Sequence, residues 1–273
     1  MIDKKAPQSL LGMTPGEVEA LIKEMGEPGF RAKQVVEWTF ARRVADIEAM
    51  TNLPKALRER LKERLVTRTM SVATVSGSAD TTRKFLLKLH DGRYVETVLI
   101  PANPALYGGK SDRRTLCVSS QVGCAYDCKF CASGLAGFTR NLTAAEIVEQ
   151  IVQVEAHTGE RVDNLVFMGM GEPLANFSNL IQAIEILNAE WGIGIGARHM
   201  TVSTSGLAPQ IHKLADFPLQ IRLAISLHGA SDPVRDQIMP VNRKYPLAEL
   251  FGALEAWNAK RKQFLTFEFI LIE

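Results

Sequence analysis

The sequence predicts an α/β protein, a partial (β/α) barrel preceded by a small module of helices and a β-hairpin. In the second half, apolar strand-like runs alternate with helical patterns, which is typical of βαβ units and a parallel sheet. In the first half, helical patterns precede two apolar runs that flank Asp91-Gly92, a dipeptide typical of hairpin turns. We therefore expect an N-terminal module over residues 1–100, a linker over 101–112 and a barrel core over 113–273.

The N-terminal module begins with a helix whose start is marked by Thr14-Pro15-Gly16-Glu17. Threonine caps the helix, proline suits its first position and glutamate completes a capping box. Gly26 then ends the helical pattern. Two more helices and the hairpin are predicted at 32–43, after Pro54, and over 84–89 with 94–100.

The core is predicted to contain five strands with helices between them. The strands are expected at 115–122, 164–170, 199–204, 220–227 and 264–272. The helices are expected after Thr143, which opens a second capping box, and over 178–189, 208–215 and 247–262. The second strand is apolar at Leu165-Val166-Phe167-Met168, as expected for a strand buried on both faces.

The composition is that of an ordinary globular protein. Of the 273 residues, 46% are hydrophobic and 23% charged, and the formal net charge is +2. This balance excludes a strongly basic, tail-like nucleic-acid binder, although it leaves room for a local basic patch. No run approaches the roughly 18 apolar residues of a membrane helix, and the start lacks the apolar segment of a signal peptide. We therefore expect a cytoplasmic protein that does not bind membranes.

All four cysteines lie within fifteen residues, at 117, 124, 128 and 131. Disulfides are rare in the cytosol, so a metal site or cysteine chemistry is favoured over local pairing or idle thiols. The last three form a CxxxCxxC motif, which can ligate three irons of a cubane cluster and leave the fourth open, whereas electron-transfer clusters have four cysteines. Zinc is the alternative, but it usually needs four ligands in paired spacings, and no second pair exists.

The CxxxCxxC motif, with Phe130 before its last cysteine, resembles the signature of radical S-adenosylmethionine (SAM) enzymes. Further segments narrow the resemblance to the RlmN/Cfr family of radical SAM rRNA adenine methyltransferases, most closely its adenine carbon-2 branch. These segments are 117–124, Gly137-Phe138, 168–174, 203–206 and 226–228, and the likeness extends over essentially the whole chain.

The resemblance implies a radical SAM partial barrel with a 4Fe-4S cluster, and SAM as both radical source and methyl donor. It implies an adenine of 23S rRNA as the substrate, and the carbon-2 branch also modifies some tRNAs. A reductant such as flavodoxin and a monomeric state are expected as well.

The family's site residues can be transferred to matching positions of this chain. Cys124, Cys128 and Cys131 would bind the cluster. SAM contacts are implied at the ends of three successive strands, where ligands of parallel sheets bind: Gly171, Glu172, Ser203, Ser226, Leu227 and His228. Taken singly, a strand-end glutamate is more often a solvated loop residue, and a lone histidine is more often structural.

Cys117 and Glu96 are two candidates for the catalytic base. The cysteine that matches Cys117 in the family deprotonates the adenine carbon and resolves a covalent protein–RNA intermediate. Glu96 matches a glutamate that the family often carries as a proton acceptor. The alternatives are a small buried thiol for Cys117 and an outward-facing strand residue for Glu96.

The sequence departs from the family pattern at its end. In the family, a second, methyl-carrying cysteine follows the sixth barrel strand, whereas here no cysteine follows Cys131. A late asparagine that contacts SAM is missing too. We expect that the C-terminal part is absent from this sequence. Two alternatives stay open: the carbon-8 branch, which confers antibiotic resistance, and an inactive cluster- or RNA-binding protein.

RNA contact is expected partly from the first half. Residues 31–70 contain ten Lys and Arg against five Asp and Glu. Such a patch provides salt-dependent affinity for phosphates without reading sequence. The alternative is an ordinary solvated helix face.

Overall fold

The structure, a computed structural model, describes residues 8–78, 81–102, 112–135, 137–261 and 264–271. The strands are β1 (Gln8–Ser9), β2 (Leu65–Val66), β3 (Met70–Ser76), β4 (Arg83–Leu89), β5 (Tyr94–Pro101), β6 (Arg114–Cys117), β7 (Gln121–Gly123), β8 (Phe138–Asn141), β9 (Asn164–Phe167), β10 (Met200–Thr204), β11 (Arg222–Ser226) and β12 (Leu265–Glu268). The α-helices are α1 (Pro15–Glu24), α2 (Phe30–Val36), α3 (Lys55–Arg64), α4 (Ala144–Thr158), α5 (Phe177–Asn188), α6 (Ala208–Ala215), α7 (Asp232–Ile238) and α8 (Leu247–Lys260).

Eight strands form one mixed sheet in the order β12-β11-β10-β9-β6-β5-β4-β3. From β12 to β6 all neighbours are parallel, and β5, β4 and β3 continue the sheet in antiparallel fashion. The parallel part contains the five predicted barrel strands in chain order, so the predicted α/β architecture is confirmed.

The hairpin strands β4 and β5 belong to the same sheet as the barrel strands. Val98 of β5 lies opposite Cys117 of β6, so the sheet continues across the boundary expected at residue 100. Most of the expected linker, 103–111, lies outside the described residues. The division into two domains therefore stays a prediction.

The strand predicted over 115–122 is divided into β6 and β7. The break occurs at Ser119, whose N–H donates to Gln150 Oε1 (2.8 Å) and whose carbonyl accepts from Gln150 Nε2 (2.9 Å). Because a buried side chain of α4 satisfies this backbone unit, the strand ladder stops there. No local pattern indicates this pairing, and β3 and α7 were not predicted either.

Helix α4 lies between the N-terminal segment and the sheet. It begins with the predicted capping box at Thr143 and ends at Gly159, which is left-handed (φ +71°). Gly12 packs against Ala145 so closely that an added Cβ would lie 2.9 Å from the alanine Cβ. A single apolar cluster extends from Leu10 to Trp257, so the N-terminal segment and the barrel share one core. Within the described ranges, no helix is long and apolar enough to cross a membrane.

Candidate active site

A cavity of about 230 Å³ lies where β9, β10 and β11 end. Eight of the eleven predicted site residues line it: Cys124, Cys128, Cys131, Gly171, Glu172, Ser203, Ser226 and His228. Leu227, Cys117 and Glu96 are not among the lining residues. Four larger cavities, of about 810, 650, 470 and 240 Å³, contain none of the predicted residues. The predicted chemistry thus converges on the smaller cavity.

The cysteine loop is held by backbone contacts with the rest of the barrel. The Cys124 N–H donates to the Gly137 carbonyl (3.2 Å), and the Lys129 N–H donates to the Ile238 carbonyl at the end of α7 (2.9 Å). Gly123 has a φ of +74°, and an added Cβ would lie 1.8 Å from the Gly137 carbonyl oxygen. Only glycine can therefore start this loop.

The three thiols of the loop lie close enough to interact electrostatically. Burial raises the pKa of Cys124, and burial together with the charges of Cys124 and Cys131 raises the pKa of Cys128 to about 12. Three neighbouring thiolates therefore need a cationic centre to stabilise them.

Three cysteine thiols on one loop are a donor set that fits a 4Fe-4S cluster with one iron left open. Across the described part of the chain, no three His, Cys, Asp or Glu side chains are grouped as ligands of a single ion. Zinc draws thiolates to about 2.3 Å, whereas a cubane cluster binds one cysteine per iron and so accommodates more widely spaced sulfurs.

Glu172 connects the ends of two strands. Its Oε1 accepts from the Leu174 N–H (3.0 Å), and its Oε2 accepts from the N–H and the hydroxyl of Ser205 (both 2.8 Å). Burial raises the pKa of this carboxyl, while the hydrogen bonds from Ser205 and Leu174 oppose that shift. The carboxylate thus fixes the rim of the cavity, and a contact between it and the SAM ammonium stays a prediction.

Gly171 is required by the same turn. Its φ is +97°, and an added Cβ would lie 2.4 Å from Gln121 Cβ. The side-chain carbonyl of Gln121 in turn accepts the Glu172 N–H (2.9 Å). The Gly171-Glu172 backbone is thereby held against β7, next to the cysteine loop.

A chain of hydroxyl and carboxylate groups joins three strands. Ser203 Oγ lies 3.4 Å from Ser226 Oγ, and Ser226 Oγ donates to Glu268 Oε2 (3.2 Å). Ser226 and Glu268 are register partners, so their side chains share a face of the sheet. Sequence reasoning missed Glu268, although a carboxylate inside the apolar run 264–272 could have identified it.

Leu227 and His228 follow the end of β11, and His228 lines the cavity. Their N–H groups both donate to the Glu268 carbonyl (3.1 Å each), and Leu227 is otherwise buried. His228 adopts a left-handed backbone (φ +51°), and its ring packs edge-on against Phe130 of the cysteine loop, with centroids 4.4 Å apart. Burial and the charge of Arg235 lower the pKa of His228. The ring is therefore neutral at pH 7 and forms a wall beside the loop.

Cys117 and Glu96 share one face of the sheet outside the cavity lining. Cys117 lies opposite Val98, and Glu96 is two residues from Val98 on the same strand. The Glu96 side chain is 43% exposed and pairs with Lys84 Nζ (2.8 Å). Burial raises the pKa of Cys117 to about 11. The choice between them as the base stays open.

The raised pKa of Cys117 predicts slow alkylation at neutral pH. In a variant with Cys124, Cys128 and Cys131 replaced by serine, Cys117 is the only thiol. Because the thiolate reacts and the pKa is about 11, we expect the iodoacetamide rate constant to rise about tenfold per pH unit between about pH 7 and 9.5. In urea, the same thiol should level off above about pH 8.5. A plateau below about pH 9 in the folded chain would contradict a buried thiol.

The basic residues of 31–70 are largely neutralised. Seven of the ten form ion pairs: Arg42–Glu37, Arg43–Glu155, Lys55–Glu59, Arg58–Glu48, Arg60–Glu27, Lys62–Glu48 and Arg64–Glu24. Three of the acidic partners, Glu24, Glu27 and Glu155, lie outside residues 31–70. The local excess of positive charge is therefore smaller than the sequence suggests, and RNA contact through this module stays a prediction.

Comparisons with known proteins agree with this geometry. Residues 8–67 match the family described as the ribosomal RNA large subunit methyltransferase N-terminal domain, and residues 118–271 match the radical SAM superfamily. The chain is 56% identical over 263 residues to the probable dual-specificity RNA methyltransferase RlmN of Akkermansia muciniphila, which covers 96% of this chain and 73% of that relative. The RlmN relative from Dictyoglomus thermophilum is 40% identical over 268 residues, covering 97% and 74%.

A solved structure shows the same fold. The crystal structure of a radical SAM methyltransferase from Sphaerobacter thermophilus matches with a TM-score of 0.90 at 41% identity, covering 98% of this chain and 77% of that one. Membership of the radical SAM superfamily brings a 4Fe-4S cluster and SAM as cofactors, and the three cysteines provide a donor set that fits the cluster. The chain belongs to the RlmN family of radical SAM RNA methyltransferases.

Proposed function

We propose that this protein methylates carbon-2 of an adenine in 23S rRNA, with SAM as radical source and methyl donor, and that it also modifies tRNA. The observation that carries the proposal is that the CxxxCxxC loop and three strand ends line one cavity. The relatives' name, dual-specificity RNA methyltransferase, supports two RNA substrates.

In this proposal, Cys124, Cys128 and Cys131 would hold the cluster, which would supply the electron for reductive cleavage of SAM after reduction by a protein such as flavodoxin. Gly171 and Glu172 present the rim where the SAM ammonium binds. Ser203 and Ser226 provide hydroxyls for the polar groups of SAM, Leu227 contacts SAM through its backbone, and the His228 ring forms a wall of the cavity beside the cysteine loop. Phe130 helps to exclude water there, because its ring packs against His228.

Cys117 and Glu96 have separable proton roles in the same proposal. A thiol whose pKa is about 11 keeps its proton on Sγ at pH 7, so Cys117 needs a nearby acceptor before it can act as a base or nucleophile. Glu96 lies on the same face of the sheet as Cys117, and the family resemblance implies that this carboxylate is a proton acceptor. The N-terminal module contacts the RNA, and the protein acts as a cytoplasmic monomer.

The proposal is tested by mapping the modified atom. We expect 23S rRNA and tRNA from cells that carry the gene to contain 2-methyladenosine, and the same RNAs from cells without the gene to lack it. Complementation with Cys117→Ala should fail, whereas complementation with Glu185→Ala, an exposed residue of α5, should succeed. Finding 8-methyladenosine would assign the carbon-8 branch, and unmodified RNA in both strains would refute the activity.

A further inference from the structure

Arg235 is a buried cation that pairs with no carboxylate of the described residues. It lies on α7 with none of its surface exposed. Its guanidinium donates to the carbonyls of Ser205 (2.8 Å), Leu227 (2.7 Å) and Ser226 (3.3 Å). Among the described residues it forms no ion pair, although a charge taken out of water normally requires one. Its positive charge therefore needs an explanation beyond its contacts.

An amide separates Arg235 from the nearest carboxylates. Arg235 Nε donates to Asn242 Oδ1 (2.9 Å), while Asn242 Nδ2 donates to Oδ1 of Asp232 (2.9 Å) and of Asp236 (2.8 Å). Asn242 thus binds the cation with one end and the two anions with the other. An aspartate at position 242 would have placed a negative charge directly on the guanidinium, so the asparagine keeps that charge uncompensated by direct contact.

The uncompensated charge lies beside the cysteine loop. The Lys129 N–H donates to the Ile238 carbonyl, three residues after Arg235 on the same helix. Arg235 binds the carbonyls of Ser226 and Leu227, which directly precede His228, and the His228 ring packs against Phe130, between Cys128 and Cys131, with centroids 4.4 Å apart. The guanidinium is therefore linked to the cysteine loop both through α7 and through His228.

We propose that Arg235 is a fixed positive charge that raises the reduction potential of the 4Fe-4S cluster, and that Asn242 keeps Asp232 and Asp236 from neutralising it. This inference rests on the proposed role of the three cysteines as ligands. Reduction adds one negative charge to a cluster that already carries three thiolates, so a nearby buried cation stabilises the reduced form more than the oxidised form. The same cation fixes the carbonyls at the ends of β10 and β11.

The test measures the midpoint potential of the anaerobically reconstituted, full 273-residue chain without SAM, by redox titration followed with electron paramagnetic resonance. Arg235→Gln should shift the equilibrium toward the oxidised cluster at least about tenfold. For a one-electron couple, this lowers the midpoint potential by about 59 mV. Arg235→Lys also loses the planar fork but keeps the charge, so its potential should stay nearer that of the parent. Equal shifts in both variants, or no shift in Arg235→Gln, would overturn the proposal.

Asp236→Asn provides a measurement that leaves Arg235 in place, in case the arginine variants fail to fold. Removing this negative neighbour should raise the potential, and an unchanged or lower potential would contradict the inference. Arg243→Gln, at an exposed arginine close by, is the matched control and should leave the potential unchanged. Iron content separates the two proposals: a parent chain with fewer than three irons refutes the ligand role of the cysteines, whereas full iron with equal potentials refutes only the role of Arg235.

Discussion

Replacing Cys128 with alanine is expected to lower the iron content of the anaerobically reconstituted chain to less than about a quarter of one 4Fe-4S cluster. Each cysteine of the CxxxCxxC loop would hold one iron, and the chain has no cysteine outside 117–131 that could replace it. Two remaining thiolates cannot hold a cluster that already lacks a fourth cysteine. Iron and acid-labile sulfide assays measure the loss.

Cys117→Ala is the matched control for this experiment. Cys117 lies in β6, outside the cavity lining, so its removal should leave iron and sulfide unchanged. A full cluster in Cys128→Ala would show that the loop does not provide the ligands. Loss of iron in Cys117→Ala would show that the fourth cysteine takes part in metal binding after all.

The grouping of the three loop cysteines at one cavity could be predicted because it depends on their spacing along the chain. Cys124, Cys128 and Cys131 lie on one short loop, and no tertiary fold is needed to bring them together. The strand-end residues were predictable for a related reason, since carboxyl ends of parallel strands meet at one edge. Ser203, Ser226 and His228 all reach the cavity as expected.

The remaining site residues depend on pairings that sequence does not display. Ser205 meets Glu172 across 33 positions, and Ser226 meets Glu268 across 42. Arg235 would ordinarily be interpreted as a solvated residue of a short polar helix, and only the structure shows that it is completely buried. These partners are set by how the strands align in the sheet, and local patterns do not fix that alignment.

The fold was predictable where hydrophobic periodicity was strong. The hairpin around Asp91-Gly92 and helix α4 after Thr143 are confirmed near the expected bounds. The sheet continues across the boundary expected at residue 100, because β5 also pairs with β6. Nothing in residues 94–101 indicates this pairing. The basic segment was overestimated for a similar reason, since counterions such as Glu155 lie far away in sequence.

Glu149→Ala is expected to destabilise the protein by about 3–5 kcal/mol. Glu149 is fully buried on α4 and accepts from the N–H and hydroxyl of Thr69 (2.9 and 2.6 Å) and the N–H of Met70 (3.0 Å). Each buried donor left without an acceptor costs about 1–3 kcal/mol. The total loss of stability should stay below the sum of these costs. The cavity of about 810 Å³ lined by Thr69 and Met70 admits water to the freed donors once the carboxylate is gone. Urea unfolding measures the loss, and the melting temperature should fall by on the order of 10 °C.

Two further variants distinguish this hydrogen-bonded contact from a general effect of removing an acid. Glu149→Gln keeps one acceptor oxygen but turns an amide NH₂ toward the same donors, so it should lose less stability than the alanine variant and more than none. Glu185→Ala removes an exposed glutamate from the neighbouring helix α5 and should stay within about 0.5 kcal/mol of the parent.

Because Glu149 joins α4 to the segment that leads into β3, its loss should also expose residues 65–72 to faster amide hydrogen exchange than the rest of the sheet. Unchanged stability in Glu149→Ala, or uniform exchange across the sheet, would show that this contact does not hold the N-terminal segment on the barrel.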